Sequence, residues 1–335
     1  LKGDARGPAA DFVKYLNGSP VGHWIGDFTD ETRASGTTQL AMQLSMPLDH
    51  TDRSKVTGRA RFLRNDITLL NGLPTFGAVD GELAFTERGI SLDNLRGTFL
   101  GGDLRASGGS RSDGTIALNI GGTLSAQGLR DNQESASLAQ LAKRMTGGTP
   151  YSATVTVRQG MTEVAVQSTL VGLAVNLPAP LGKRAETSLP ARFTLRPQPS
   201  PGGRRIDTLD FAVGSVQGNY VQEHSGGSAG NPARVEVLRG GIGINQPVPA
   251  PREGVQAAAQ FDTLDVDAWR SVIASLTSDA GSANAPAPQS APGTPPAPAG
   301  PSATVTTARD EFGALTPYLP TRLALHAKQV RLMSR

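Results

Sequence analysis

Thr149 to Lys183 reads TPYSATVTVRQGMTEVAVQSTLVGLAVNLPAPLGK, two alternating runs followed by an apolar tail broken by prolines. Val155 and Val157 fall on one face of the first run. Val164, Val166, Ser168 and Leu170 fall on one face of the second, and Gln159-Gly160 between them is a turn signal. Alternation with a period of two on both sides of a short turn predicts a β-hairpin with one largely apolar face. The tail, Leu170 to Lys183, needs a place to bury its apolar residues, and Pro178 and Pro180 cannot donate to a sheet ladder, so the strand ends or sits at an edge there.

The same alternation recurs outward in both directions. Leu40, Met42, Leu44, Met46 and Leu48 alternate with Gln39, Ala41, Gln43, Ser45 and Pro47. Val56 to Phe62, Val79 to Phe85, Ile90-Leu92, Gly97 to Ala106 and Ile116-Leu118-Ile120 follow, with turns expected at Asn65-Asp66, Glu87 to Gly89 and Asp113-Gly114. Beyond the central hairpin come Phe193-Leu195, Leu209-Phe211-Val213 and Asn219-Val221. A further hairpin is expected to join Val235-Val237 to Ile242-Ile244 around Gly240-Gly241. Strands about ten residues apart with turn residues between them are the mark of a meander. Helical patterns are few: Ala10 to Leu16, ended by Asn17-Gly18; Ser135 to Met145; and Asp267 to Leu276, with Asp265 or Asp267 as N-cap.

These patterns divide the chain into a first β-meander over 1–127, a short helical insertion over 128–148, and a second β section with a terminal helix over 149–276. An Ala/Pro/Ser-rich loop expected to be disordered covers 277–307, and a further β section starts over 308–335. The class is all-β, mainly antiparallel, with a few short helices. Alternating strands of this kind pack either as a closed sandwich or barrel, or as a curled sheet whose apolar side faces inward and accepts acyl chains. Scarce aromatics (5%) and scarce helices speak for the second, yet on the pattern alone the sandwich is the leading expectation.

The 335 residues carry 32 basic and 29 acidic side chains with no basic patch interleaved with aromatics, which argues against nucleic acid as a partner. There are no cysteines, hence no disulfides, thiol chemistry or cysteine metal sites. His23, His50, His224 and His326 lie far apart, and Gly226 to Gly230 fits G-x-S-x-G without the strand and helix of a nucleophile elbow. Gly101-Gly102 and Gly121-Gly122 read as turns or bulges. Asp262, Asp265 and Asp267 lack the glycine and final glutamate of a calcium loop and read as helix caps. No catalytic residue, metal site or cofactor is expected. No stretch approaches the roughly 20 apolar residues of a membrane helix, and an opening at Leu1-Lys2-Gly3 reads as a piece of a longer protein.

Several stretches are similar to one known family. Leu16-Asn-Gly-Ser-Pro-Val21, Leu44 to Leu48, Leu70 to Phe85, Leu95 to Gly102, Ser168 to Lys183, Leu264 to Trp269 and Tyr318 to Leu323 together resemble the YhdP family of AsmA-like proteins. The Ala/Pro/Ser-rich insertion before Thr307 departs from that pattern. The resemblance implies a long curled β-sheet with a hydrophobic groove, part of a Gram-negative envelope protein anchored in the inner membrane and crossing the periplasm. It implies conduction of phospholipid between inner and outer membranes, with other envelope proteins as further partners and no catalytic residues. Within such a groove the alternation nominates Leu40, Met42, Leu44, Ile116, Leu118, Ile120, Val155, Val157, Val164, Val166, Phe211, Val213, Val235 and Val237 as lining positions. Which face turns inward depends on register, since a slip of one residue exchanges the faces. The competing expectation is a closed sandwich or solenoid that scaffolds envelope partners.

Overall fold

A computed structural model describes residues 2–18, 29, 32–45, 55–69, 74–132, 136–158, 160–200, 204–225, 234–278 and 317–331. The alternating runs become β1 (Lys2–Pro8), β2 (Arg33–Ser45), β3 (Lys55–Thr68), β4 (Phe76–Thr86), β5 (Gly89–Phe99), β6 (Gly102–Ser110), β7 (Ile116–Ser125), β8 (Met145–Arg158) and β9 (Met161–Ser168). After a short β10 (Leu173–Val175) come β11 (Ala191–Gln198), β12 (Arg205–Val213), β13 (Val216–Ser225), β14 (Arg234–Ile244), β15 (Gly254–Asp265) and β16 (Arg322–Arg331). Among the described residues four helices interrupt them: α1 (Ala9–Asn17), α2 (Ala126–Arg130), α3 (Ala136–Ala142) and α4 (Val266–Ser278).

All sixteen strands join one sheet, and apart from β10 each pairs with the strand before it and the strand after it in sequence. Pairing is antiparallel from β1 to β14 and parallel for β14–β15 and β15–β16. The two ends of the path do not meet, so the sheet is open rather than a barrel. One sheet therefore carries both the section expected over 1–127 and the one over 149–276. Of the loop expected over 277–307, all but Thr277 and Ser278 lies outside the described residues, as do His23, His50, Met46, Leu48 and the Gly226–Gly230 motif.

Four expectations need correction. Asn65-Asp66 is not a turn: β3 runs straight through it with a bulge. Asn65 is fully buried, its Oδ1 accepting the Leu63 N–H (2.7 Å) and its Nδ2 donating to Ser35 O (2.8 Å). Arg64 beside it takes φ 54° to make the extra residue fit. Gly240-Gly241 is not a turn either, since β14 passes through both. A Cβ at Gly240 would lie 2.2 Å from Tyr220 Cδ1, and one at Gly241 1.9 Å from Pro249 O, so these glycines admit neighbours instead of reversing the chain. Gly121-Gly122 lies within β7 in unbroken register with β6. The helix expected over Ser135 to Met145 is α3, with Met145 already opening β8.

Register shifts recur in β2–β3, β3–β4, β4–β5 and β5–β6, and Ala78 (φ 47°) and Asn94 (φ 52°) repeat the Arg64 conformation on neighbouring strands. Bulges bend a strand and increase its twist, and a series of them on adjacent strands curls the sheet. The apolar face is closely packed there. Val79, Leu95, Leu104, Ala106 and Tyr151 form a buried cluster, with Phe76 stacked on Phe99 at 4.8 Å between ring centres.

The apolar tail of the opening stretch also finds its cover. Leu173 and Val175 form β10 along the start of β8 and pack on Ala126 of α2, with Met145, Leu170 and Leu177 around them. Lys183 ties this segment together, its Nζ donating to Leu170 O (2.7 Å) and to Leu173 O, and partial burial holds its pKa below the usual lysine range.

Candidate functional site

Residues opposite one another across a ladder share a face, so the register can be followed from strand to strand. Starting at Ala5 on β1, the successive partners are Leu40, Ala60, Leu83, Leu92, Gly108, Leu118, Val155 and Val164. Leu195, Leu209, Tyr220, Gly240 and Val255 complete the row on β11 to β15. No polar residue but Tyr220 interrupts it. A row on the other face reads Arg6, Gln39, Arg61, Glu82 and Asp93. Another there reads Ser107, Asn119, Thr154, Ala165, Thr194, Asp210 and Asn219. Along these rows the sheet is apolar on one side, from β1 to β15, and largely polar on the other, from β1 to β13.

The apolar face is kept low by aromatic rings laid over glycines. Phe85 covers Gly58, Phe211 covers Gly218 and Tyr220 covers Gly240, each directly opposite in register; a Cβ at any of the three glycines would lie 2.2 Å from the ring. A ring over a bare strand buries area without raising a side chain into the trough.

At the amino-terminal end this face encloses a cavity of about 320 Å³. Its walls come from Phe12, Val13, Tyr15 and Leu16 of α1, from residues of β2 to β5, and from Ile116, Leu118 and Val157 farther along the sheet. Among the described residues the lining is apolar apart from Tyr15, Thr29, Thr32 and Thr38. α1 reaches the cavity because Phe12 and Leu16 lie one turn apart on one side of the helix, against β2.

The nominated lining residues divide accordingly. Leu40, Met42, Ile116, Leu118 and Val157 line the cavity. Val155 and Val164 continue the row, while Ile120 and Val166 pack against the Tyr151 cluster. Phe211 lies opposite Phe193 and Val213 opposite Ala191, on the same face of the second half of the sheet. Leu44 lies opposite Val56 near the end of β2, outside the cavity. Val237 and Val235 differ from the rest. They follow a bulge and stand opposite Gln222 and His224, where the face turns polar. There His224 Nε2 lies 2.8 Å from Asp207 Oδ2, Tyr318 Oη donates to Gln222 Oε1 (2.7 Å), and Tyr220 Oη donates to Tyr318 O (2.9 Å). The α1 residues, with Ala60, Phe62, Leu83, Phe85, Ile90 and Leu92, belong to the cavity without having been nominated; the same period-two signal marks all six strand residues.

Two tyrosines on this face titrate late. Burial pushes Tyr151 up to about 12, and burial with neighbouring Tyr318 pushes Tyr220 up to about 12. Their folded pKa lies above the ordinary phenol value near 10, so from about pH 10 upward the unfolded chain holds fewer protons, and stability falls as pH rises through about 12. Among the described residues Tyr151 Oη has no hydrogen-bond partner. Tyr151→Phe is therefore expected to raise the urea midpoint at neutral pH, by about 1 kcal/mol of stability, and to flatten the alkaline loss between pH 10 and 12. Urea titrations at pH 7 and pH 11 check both effects; a destabilised variant at pH 7 would mean the hydroxyl has a partner.

Among the described residues no three His, Asp or Glu side chains gather as a metal site. Asp265 caps α4 through the Ala268 N–H (2.8 Å), whereas Asp262, expected as a cap, lies within β15 and pairs with Lys328 (2.8 Å). No described helix is long and apolar enough to cross a membrane.

The sequence model of the family described as YhdP protein matches residues 1–334. The chain belongs to the YhdP family. It is thereby a member of an AsmA-like group of lipid-transport proteins of the cell envelope, generally without enzymatic activity. No curated protein and no solved structure matches this YhdP-family chain.

Proposed function

We propose that this chain is a section of a conduit that carries phospholipid between the inner and outer membranes, with acyl chains on the apolar face of the sheet and head groups toward water. In the full-length protein, anchored in the inner membrane, this section stands in the periplasm. One observation carries the reading: the apolar row runs across successive strands, from β1 to β15, instead of ending in a closed core. A path for a hydrocarbon chain needs continuity in that direction, because each buried methylene gains roughly 0.8 kcal/mol and each polar gap forfeits it.

A photoreactive residue at Leu40, Met42, Leu83 and Leu118, and in parallel at Gln39, Ala41, Glu82 and Asn119, in cells labelled with radioactive phosphate, tests it. Phospholipid adducts are expected at the first set and absent from the second. Adducts at neither set, in folded protein, would favour a non-catalytic scaffold with the apolar face occluded.

A further inference from the structure

The approach to β16, residues 317–321, crosses the apolar face as a strap. At one end the Thr321 N–H donates to Val255 O on β15 (2.9 Å); three residues earlier, Tyr318 reaches Tyr220 on β13, two strands away in the sheet. The two rings meet edge to face at 5.2 Å between centres, Tyr318 Oη donates to Gln222 Oε1 (2.7 Å), and Tyr318 O accepts from Tyr220 Oη (2.9 Å). Tyr220, Gly240 and Val255 are consecutive members of the apolar row, so the strap lies over the row itself. Tyr220 and Val255 are each 3% exposed, whereas Phe193 on β11 and Leu323 on β16, which share that face on either side, are 40% and 63% exposed.

The polar island beside Tyr220 has a use in this arrangement. Asp207 and Gln222 are buried on a face that otherwise carries hydrocarbon, where a polar side chain costs stability unless it is paired. Asp207 is paired with His224, and Gln222 with the strap. Among the described residues the strap is fastened only by Tyr318 at one end and Thr321 at the other, and Leu319 between them stays exposed. Strands of the sheet are held by whole ladders, so the strap is the part of this region that opens at least cost. We propose that residues 317–321 are a gate on the conduit: with Tyr318 seated on Tyr220 an acyl chain stops short of β13, and with Tyr318 lifted it passes on to β15. The gate rests on the reading that the apolar face carries acyl chains and adds a point at which their passage is controlled.

The chain has no cysteine, so a single one can report on the gate: Val255→Cys beneath the strap, Leu195→Cys in the same row before it, or Val79→Cys in the buried cluster on β4. Rates of modification by N-dodecylmaleimide and N-ethylmaleimide are measured in the 335-residue chain with Tyr318, Tyr318→Phe and Tyr318→Ala. Leu195→Cys is expected to react faster with the dodecyl reagent than with the ethyl one, whatever stands at 318. Val255→Cys is expected to react slowly with the dodecyl reagent while Tyr318 is in place. Tyr318→Phe should speed it about fivefold, the worth of one neutral hydrogen bond, and Tyr318→Ala further, with Val79→Cys unreactive throughout. Equal rates at Val255→Cys in all three backgrounds, or a parallel gain at Val79→Cys, would overturn the gate while leaving the conduit intact. A Leu195→Cys chain with no preference for the dodecyl reagent would overturn the acyl-chain reading itself, and the gate with it.

Discussion

Leu118→Glu is expected to cut phospholipid adducts on either side of it, at Leu83 and at Leu195, about a hundredfold, while Asn119→Glu leaves them unchanged. Leu118 stands in the middle of the apolar row, between Gly108 and Val155, and lines the cavity as well. It is half-buried, facing the trough, so a carboxylate there can stay hydrated when the groove is empty and the sheet still folds. An acyl chain passing it must then share hydrocarbon with a charge. Insertion scales put that at about 2.5–3.5 kcal/mol for an acidic side chain at hydrocarbon depth, which is roughly two orders of magnitude in occupancy. Asn119 carries the same charge change on the polar face, one residue along the same strand. Both variants should unfold at similar urea concentrations, which separates a blocked path from a damaged fold. Equal adduct yields in the two variants would mean that lipid does not travel along this face.

The contrast between neighbouring residues also explains what the sequence could reveal. Leu40-Ala-Met-Gln-Leu44 is legible because side chains on a strand point alternately to opposite sides, so the pattern on one strand assigns its faces without any knowledge of neighbours. The central hairpin was readable for the same reason. The cover found by its apolar tail was not, because β10 pairs with β8 at Met145 to Gly147, more than twenty residues back in the chain.

Errors arose where the deciding partner is distant. Asn65-Asp66 has turn composition, yet Asn65 is held by Ser35 O, thirty residues earlier, and serves a bulge. Gly240-Gly241 has it too, yet the Tyr220 ring and the Pro249 carbonyl occupy the space the missing side chains leave. The setting of Val235 and Val237, which is no error of reading, was equally illegible: they alternate as cleanly as any residues in the chain, and the polar groups opposite them come from β12 and β13 across a register shift.

Glycine content is the part of the composition with the sharpest structural reading, and two adjacent glycines test it. Gly122→Ala is expected to cost about 3 kcal/mol, and Gly121→Ala to be neutral or to stabilise by about 0.5 kcal/mol. At Gly122 a Cβ would lie 2.2 Å from Asp103 O and 3.2 Å from Leu104 Cα, both backbone atoms of β6. No rotamer change can relieve that contact. The two strands would have to separate along a ladder that pairs Leu104 with Gly122 and Arg105 with Gly121. The same separation would lift the row carrying Leu104 and Tyr151, which belongs to the buried cluster where the sheet curls. At Gly121, pointing to the polar side, a Cβ meets nothing within 4 Å, and alanine there mainly restricts the unfolded chain. Urea midpoints of the two variants are the measurement. A large gap means that close approach of β6 and β7 dictates glycine at 122; similar midpoints would mean that the strands are not seated in this register, and the continuous apolar row that depends on it would fall as well.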